Sequence, residues 1–583
     1  MHTNISQSMM RLLILTLELA VLQACVDIAA VPVDRQASAG HGGAVSTGST
    51  AIPPRGSEAG STFSQMPDDS LWTLIARGDG RAIVGLKTPG HARGVYKSDI
   101  LIGDSDIQAA TRVLQGIQGL EILRRDTLLP IVIVRVQEAR TLARIRQLPF
   151  VDYVNPDLIP GFTYAGSPGC TEYLWSGDQI YSPSGDIVPA VYSSLGVNNA
   201  WTRSNGENIT IGLVDTGIFY NSQQLRLPGF TSGASASRSV RYWNTASFPS
   251  PWAECSHGTR MSGIMAAPRD GQGPIGVAWG ASLVSVRHND DVVVGAYGGD
   301  AQQGIRMAAQ ASHIVAMAWG TPDFLDNVGD EIRYWANEPT QPRLFIGAAG
   351  TQSSCATIKG SWIDVTPPPT LFPARMNEVV AVTAIDQNGK LACDAHGGPD
   401  VDVAAYYGYP TAGQYGQVLY MRGSSSATAV VAGMAALVWS HYGGGAAHTR
   451  QRLYETAAGY PNRAKYIGYG AVNAMRALGG MERADINGCT SSTCTFRYTI
   501  DSCRTEHFYV YPVGGDGPYS YQWSTGSTTN STTLTLCPTP GEVAYYSLAA
   551  SVWDADRLGA TAAYRHVDIE VHDAWAPCPT CIQ

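Results

Sequence analysis

The chain has 583 residues, 44% of them hydrophobic and 15% charged, and a formal net charge of −9. That length calls for several domains, and that apolar fraction supplies a sizeable core. A negative balance with no basic, aromatic-interleaved cluster leaves phosphate-backbone binding without an electrostatic footprint, which excludes nucleic acid as a partner.

Arg11 precedes the apolar stretch Leu12 to Val21, which is too short to span a bilayer stably and is interrupted by Glu18. Residues 1–24 therefore read as a signal peptide rather than a permanent anchor, and the protein as exported. Initiation at Met9 or Met10 would shorten the leading region. Leu22-Gln23-Ala24-Cys25 is similar to a bacterial lipobox, although Gln23 departs from the small residue usual there. On that reading Cys25 carries a lipid that attaches the protein to the membrane of the cell envelope. Ordinary cleavage after Ala24 or Ala30, with free secretion, is the alternative. Residues 25–80, rich in Gly, Ser, Ala and Pro over 26 to 70, read as a flexible spacer.

Residues 81–160 differ in character. Arg81 to Lys87 and Pro130 to Val136 alternate or run apolar like strands, while Ile107 to Gly116 and Ala139 to Gln147 carry helical periodicity. The segment closes on Val151-Asp152-Tyr153-Val154-Asn155-Pro156-Asp157, giving a small α+β unit.

Three short motifs follow in the order acid, imidazole, hydroxyl: Val214-Asp215-Thr216-Gly217, His257-Gly258-Thr259 and Gly423-Ser424-Ser425-Ser426-Ala427. A serine hydroxyl becomes a useful nucleophile when an imidazole takes its proton, and the imidazole needs a buried carboxylate to fix its tautomer. Asp215 ends the apolar run Ile209 to Val214, which reads as a strand of a buried parallel sheet, so the carboxylate sits where a strand's carboxyl end meets a crevice. His257 leads into the small-residue stretch Met261 to Ala267. Ser425 opens a helix through Val430, Val431, Met434 and Leu437, and a hydroxyl at a helix N-terminus gains from the dipole. Asp-Thr-Gly or His-Gly-Thr alone is an ordinary strand or turn junction; the ordered combination carries the reading.

This constellation resembles the subtilisin-like serine proteases. The family's serine motif is Gly-Thr-Ser-x-Ala-x-Pro followed by Val-Ala-Gly; Gly423, Ser425, Ala427 and Val431-Ala432-Gly433 match it, while Ala429 replaces the proline. Further matches are Phe372-Pro373-Ala374 leading into Val379 to Ala384, then Thr456-Ala457 and Gly468 to Ala474, so the likeness spans roughly residues 190 to 478. It implies an α/β fold: a subtilisin-like parallel sheet flanked by helices over 161–480, preceded by a small α+β propeptide over 81–160. Such a propeptide chaperones a slow-folding parallel sheet and blocks the cleft as an intramolecular inhibitor. It implies proteins or peptides as substrates and no required cofactor. Structural calcium is compatible with the family, but its ligands come from variable loops and no metal ligand is placed.

Two departures accompany the matches. After the apolar strand Leu344 to Gly350 the family has an asparagine that helps hold the oxyanion; here the position is Thr351, which donates one hydrogen bond on a shorter arm. Ala318-Trp319-Gly320 stands where the family carries Ser-x-Gly on the strand that pairs with the substrate backbone, with Gly320 kept and Trp319 expected to pack inward. The resemblance makes Ala318, Trp319, Gly320, Ala348, Ala349 and Gly350 substrate-binding. These are small or aromatic, which favours apolar side chains before the cleaved bond.

Past residue 480 helical periodicity is lost. Short strands alternate with turn clusters such as Ser524-Thr525-Gly526-Ser527 and Pro538-Thr539-Pro540-Gly541. Gly517-Pro518-Tyr519-Ser520-Tyr521-Gln522-Trp523 and Ala549 to Asp554 resemble the immunoglobulin-like modules of bacterial surface proteins, so 481–583 reads as a cysteine-bearing β-sandwich. It serves either adhesion or passive stabilisation.

Eleven cysteines fit an oxidising compartment. Without Cys25 ten remain, and the simplest division is two bridges among Cys170, Cys255, Cys355 and Cys393 and three among the six that follow, with Cys503 to Cys537 a pair inside the sandwich. Zinc at Cys578 and Cys581, or a free thiol at Cys255, are the alternatives. The functional expectation is an endopeptidase in which Ser425 attacks, His257 carries the proton, Asp215 orients His257 and Thr351 helps hold the oxyanion. Its rival is a catalytically impaired subtilase-fold binding or scaffolding protein, which Thr351 and Ala318 keep in play.

Overall fold

Leu71 and Ile75 lie one helical turn apart and, with Trp72 and Leu74, give the stretch after Pro67 an apolar face. In the computed structural model Leu71 and Ile75 are fully buried on helix α1 (Asp68–Arg77), which carries Asp68 and Asp69 in its first turn and Arg77 in its last, as the helix dipole favours. The spacer expected up to residue 80 therefore ends earlier. The structure describes residues 63–87, 104–159, 163–164, 185–218, 239–245, 257–289, 296–352, 367–412, 418–479, 481–489, 494–514, 519–540, 542–553 and 563–573. Residues 1–24, read from the sequence as a signal peptide, and Cys25, Cys170, Cys255, Cys355, Cys578 and Cys581 lie outside them.

After α1 come β1 (Arg81–Leu86), α2 (Asp104–Gln115), β2 (Leu120–Arg125), β3 (Ile131–Val136), α3 (Ala139–Arg146) and β4 (Val151–Pro156). The four strands form one antiparallel sheet in the order β2-β3-β1-β4. Ala82, Val84, Val132 and Val134 share one buried cluster with Leu114, Leu142 and Ile145 of the helices, while Ile83, Ile131, Ile133 and Tyr153 form a second. Alternation along the strands thus gives this sheet two apolar faces.

Two short strands, β5 (Leu158–Ile159) and β6 (Thr163–Tyr164), lead onward. The main sheet consists of β7 (Thr210–Asp215), β8 (Val240–Asn244), β9 (Ser282–Arg287), β11 (Ile314–Met317), β13 (Leu344–Ala348), β14 (Val379–Ile385) and β15 (Val403–Tyr406). Between these come α4 (His257–Ala266), β10 (Ala296–Tyr297), α5 (Gly298–Ala311), β12 (Trp319–Gly320) and α6 (Asp326–Ala336), and α7 (Ser424–Tyr442) follows. All seven main strands are parallel, in the order β15-β14-β13-β11-β7-β9-β8. Helices cover both faces, so strands such as β13 and β14 are buried throughout and read as continuous apolar runs. Ile211 and Leu213 point into the cluster that holds α7, and Val214 into the one that holds α5.

The N-terminal sheet docks on the start of α5. Gly298 and Gly299 permit it: a Cβ at Gly299 would lie 2.7 Å from Ile133 Cδ1, and one at Gly298 3.2 Å from Ile83 Cδ1. Asp157, fully buried, accepts hydrogen bonds from both glycine N–H groups, through its carbonyl from Gly298 at 2.6 Å and its carboxylate from Gly299 at 2.8 Å. Arg81 pairs with the same carboxylate at 2.6 Å. The turn after β2 adds Asp126, which meets Arg306 of α5 at 2.9 Å beside the buried Glu331 of α6.

Beyond Met481 two sheets of three and four strands enclose a core containing Phe508, Trp523, Leu548 and Val567. Disulfides join Cys489 to Cys494 and Cys503 to Cys537, the second as read from the sequence, and Cys393 is also disulfide-bonded.

Candidate active site

Parallel register sets the stage. Ala316 lies opposite Leu213 and Met317 opposite Gly347, so the positions that follow β7, β11 and β13 emerge level with one another at the carboxyl edge of the sheet. This edge is where open α/β sheets form their crevices.

Asp215 closes β7 and is fully buried. Its Oδ1 accepts a hydrogen bond from the Thr216 N–H at 2.8 Å and lies 2.8 Å from Nδ1 of His257. His257 is the first residue of α4 and is nearly buried. A clamp not foreseen from the motifs holds it: the Thr216 hydroxyl accepts the Gly258 N–H at 3.0 Å and donates to Asp215 Oδ1 at 3.3 Å. Gly258 is obligatory, because a Cβ there would sit 2.2 Å from the Gly217 carbonyl. Gly217 itself turns with φ of 86°, which favours glycine.

Ser425 is the second residue of α7. Gly423 precedes the helix with φ of 92° and ψ of −177°, a conformation suited to glycine. The Ser425 hydroxyl donates to the carbonyl of Ala318 at 2.8 Å. Helix α7 also packs against α4: a Cβ at Gly433 would meet the Met265 carbonyl at 3.1 Å. The small residues of the two helices thus let the histidine-bearing and serine-bearing elements approach.

Thr351 follows β13 and Gly350, whose φ is 125°. Its hydroxyl accepts the Ser424 N–H at 2.9 Å and lies 3.0 Å from the Ser424 hydroxyl, which in turn accepts the Gly350 N–H at 3.1 Å. Two hydroxyl protons share one hydroxyl-to-hydroxyl contact, so one remains available for another acceptor. Ser424, read in the sequence only as a neighbour of Ser425 in the serine motif, is thus the hydrogen-bond partner of Thr351.

Trp319 packs inward as expected, its Nε1 donating to the Val214 carbonyl at 3.0 Å and its ring 5.1 Å from that of His288. His288 is fully buried next to Asp215; burial lowers its pKa to about 4, and the nearby carboxylate only partly opposes this. Ala348 and Ala349 are buried at the end of β13, with the Ala349 carbonyl accepting the Leu371 N–H at 2.8 Å. Strand β12 pairs antiparallel with β6, Trp319 opposite Tyr164 and Gly320 opposite Thr163. An extended segment of the chain's own N-terminal part therefore lies along residues 319–320, as a peptide in a cleft would.

The arrangement offers a buried carboxylate on an imidazole, a hydroxyl at a helix N-terminus and a neighbouring hydroxyl donor. Together these are the parts of acyl transfer.

Residues 206–470 match the model of the subtilase family. The chain is 30% identical over 295 residues to a thermostable alkaline protease of Halalkalibacterium halodurans, covering 50% of this chain and 73% of the relative. It is 28% identical over 395 residues to the M-protease of Shouchella clausii, covering 65% and 91%. Against subtilisin E of Bacillus subtilis it is 28% identical over 279 residues, covering 47% and 66%.

Proposed function

This chain belongs to the subtilase family and is a serine endopeptidase, and on that premise we propose that Asp215, His257 and Ser425 are its catalytic triad and that it works outside the cytoplasm. Ser425 Oγ attacks the scissile carbonyl while His257 takes its proton, then returns it to the leaving amine. Asp215 holds the imidazole through Nδ1 and stabilises its charged form. Water then hydrolyses the acyl-enzyme ester by the same proton route. The developing oxyanion takes the Ser425 N–H and the Thr351 hydroxyl, donors fixed before charge appears.

The observation that carries this reading is the buried 2.8 Å contact between Asp215 and His257, at the same sheet edge as the Ser425 hydroxyl. The α+β unit over 81–160 acts as propeptide and intramolecular inhibitor, supported by its seat on α5 and by β6 along β12. Export by the signal peptide, with a lipid on Cys25 or free secretion, completes the proposal.

A fluorophosphonate probe tests the triad, since it reacts with an activated serine. Labelling of the wild type that disappears in both Ser425→Ala and His257→Ala is expected. No labelling of the processed wild type would return the scaffolding alternative, and labelling retained in Ser425→Ala would move the nucleophile to Ser424 or Ser426.

A further inference from the structure

The two oxyanion donors proposed above sit on different parts of the chain, Thr351 in the loop after β13 and the Ser425 N–H at the start of α7. Their separation must be fixed before charge appears. One link between them is the contact of Thr351 with Ser424. A second link runs by another route, through the side chains of Asp394 and Tyr407.

Each end of that second link is tied by main-chain hydrogen bonds to one of the two donors' segments. Residues 394–396 run antiparallel to 350–352: the Asp394 carbonyl accepts the Gln352 N–H at 2.7 Å, Ala395 bridges Thr351, and the His396 N–H donates to the Gly350 carbonyl at 2.9 Å. Cys393, the neighbour of Asp394 in the chain, is disulfide-bonded and anchors the segment. At the other end the Tyr407 carbonyl accepts the Gly423 N–H at 3.1 Å and lies 3.2 Å from the Ser426 hydroxyl. The strands Gly408–Ala412 and Val418–Arg422 continue that contact, with Gly408 opposite Arg422. Tyr407 is therefore fastened to the turn that carries Ser425.

The Tyr407 hydroxyl donates to the Asp394 carboxylate and closes the circuit. A hydrogen bond to a carboxylate is stronger than one between neutral groups. Asp394 is only 9% exposed, so little water competes for it, and the Tyr407 ring packs against the core cluster that holds α7. Burial pushes the Asp394 carboxyl pKa up, and the Tyr407 hydroxyl and the positive charge of Arg422, the residue before Gly423, oppose this.

We propose that Asp394 and Tyr407 are positioning residues for the oxyanion site: their hydrogen bond locks the Thr351 loop to the turn of Ser425, and so holds the Thr351 hydroxyl and the Ser425 N–H at the spacing the oxyanion needs. The proposal rests on the reading of Thr351 as an oxyanion donor. Threonine makes the lock necessary. A longer amide arm would follow a drifting loop by rotating, whereas the stiff, β-branched threonine carries its hydroxyl wherever its backbone goes.

Steady-state kinetics on a peptide p-nitroanilide cleaved by the wild type test this, with thermal melts and end-point fluorophosphonate labelling to show that each variant is folded. Tyr407→Phe keeps the ring and removes the donor. Its kcat should fall about tenfold, as displacement of a donor by part of an ångström would cause, with KM within about twofold. Asp394→Asn still accepts the Tyr407 proton through its amide carbonyl, so kcat should stay within about threefold of wild type. In Thr351→Val the positioned donor is already gone, and adding Tyr407→Phe should cost nothing further. Wild-type kcat in Tyr407→Phe, a loss carried by KM instead of kcat, or a further tenfold loss on adding Tyr407→Phe to Thr351→Val each overturns the proposal. Wild-type kcat in Thr351→Val itself brings down the oxyanion reading and the proposal with it. Absence of both hydrolysis and labelling in the wild type brings down the peptidase reading beneath both.

Discussion

Thr351 is where single atoms decide the most. Its hydroxyl accepts the buried Ser424 N–H, so Thr351→Val removes a candidate oxyanion donor and also strands that N–H, at a cost of about 1–3 kcal/mol in stability. Turnover should fall by up to roughly a hundred- to a thousandfold with little change in KM, since the contact matters as charge develops. Thr351→Ser should stay within a few-fold of wild type, and Thr351→Asn should match or exceed it. Steady-state kinetics with equal turnover in the wild type, Val and Asn variants would show that position 351 does not face the oxyanion. His288 supplies a second prediction. Its pKa is 6.5 when unfolded and about 4 when folded, so between those values the unfolded chain binds more protons and stability falls as pH falls. The effect approaches about 3 kcal/mol once pH is below both values. In a Ser425→Ala background, thermal melts from pH 7 to 4 should show this loss, and His288→Gln should flatten it. Asp215, His257 and Ser425 were legible because each sits in a contiguous motif. The parts of Thr216 and Ser424 were not, because they depend on partners dozens of residues away: Thr216 on Gly258 and Ser424 on Thr351.

Elements repeat the pattern. Strands β1, β3 and β7 announced themselves as apolar runs, and α2 and α3 by their periodicity, within a residue or two for the strands and three for the start of α2. β2 did not: Leu120–Arg125 ends in two arginines and is only partly buried, so its strand character comes from pairing with β3 rather than from its own pattern. Helix α1 hid in a Gly- and Ser-rich tract behind two core residues. The crowding of α4 against the turn after β7 yields a prediction of its own. Gly258→Ala would place a methyl 2.2 Å from the Gly217 carbonyl and 3.2 Å from Asp215 Oδ1, forcing the start of α4 outward. A shift on the order of 1 Å in a reacting group costs about a hundredfold, so kcat on a peptide p-nitroanilide should drop by at least that much. Wild-type kcat in Gly258→Ala would show that the turn yields without moving His257.

At the scale of the whole chain, the N-terminal α+β unit and the sheet-and-helix body are joined through Asp157, Asp126 and the β6–β12 pairing. Intact-mass and N-terminal analysis of the full chain should find a mature form beginning at Gly166, after a cut between Ala165 and Gly166, and Ser425→Ala should accumulate uncut. The same N-terminus in both proteins would assign processing to another protease. The order of the units was readable from shifts in composition. Their mutual seating was not, because it runs through two glycines and a buried carboxylate that sequence alone gives no reason to bring together.

The buried contact at Asp157 has one further consequence. The body meets this carboxylate through the backbone N–H groups of Gly298 and Gly299, while the cation that balances it, Arg81, belongs to the N-terminal unit itself. When that unit departs after a cut, acid and base leave together, and the body is not left with a buried charge stripped of its counterpart at that spot.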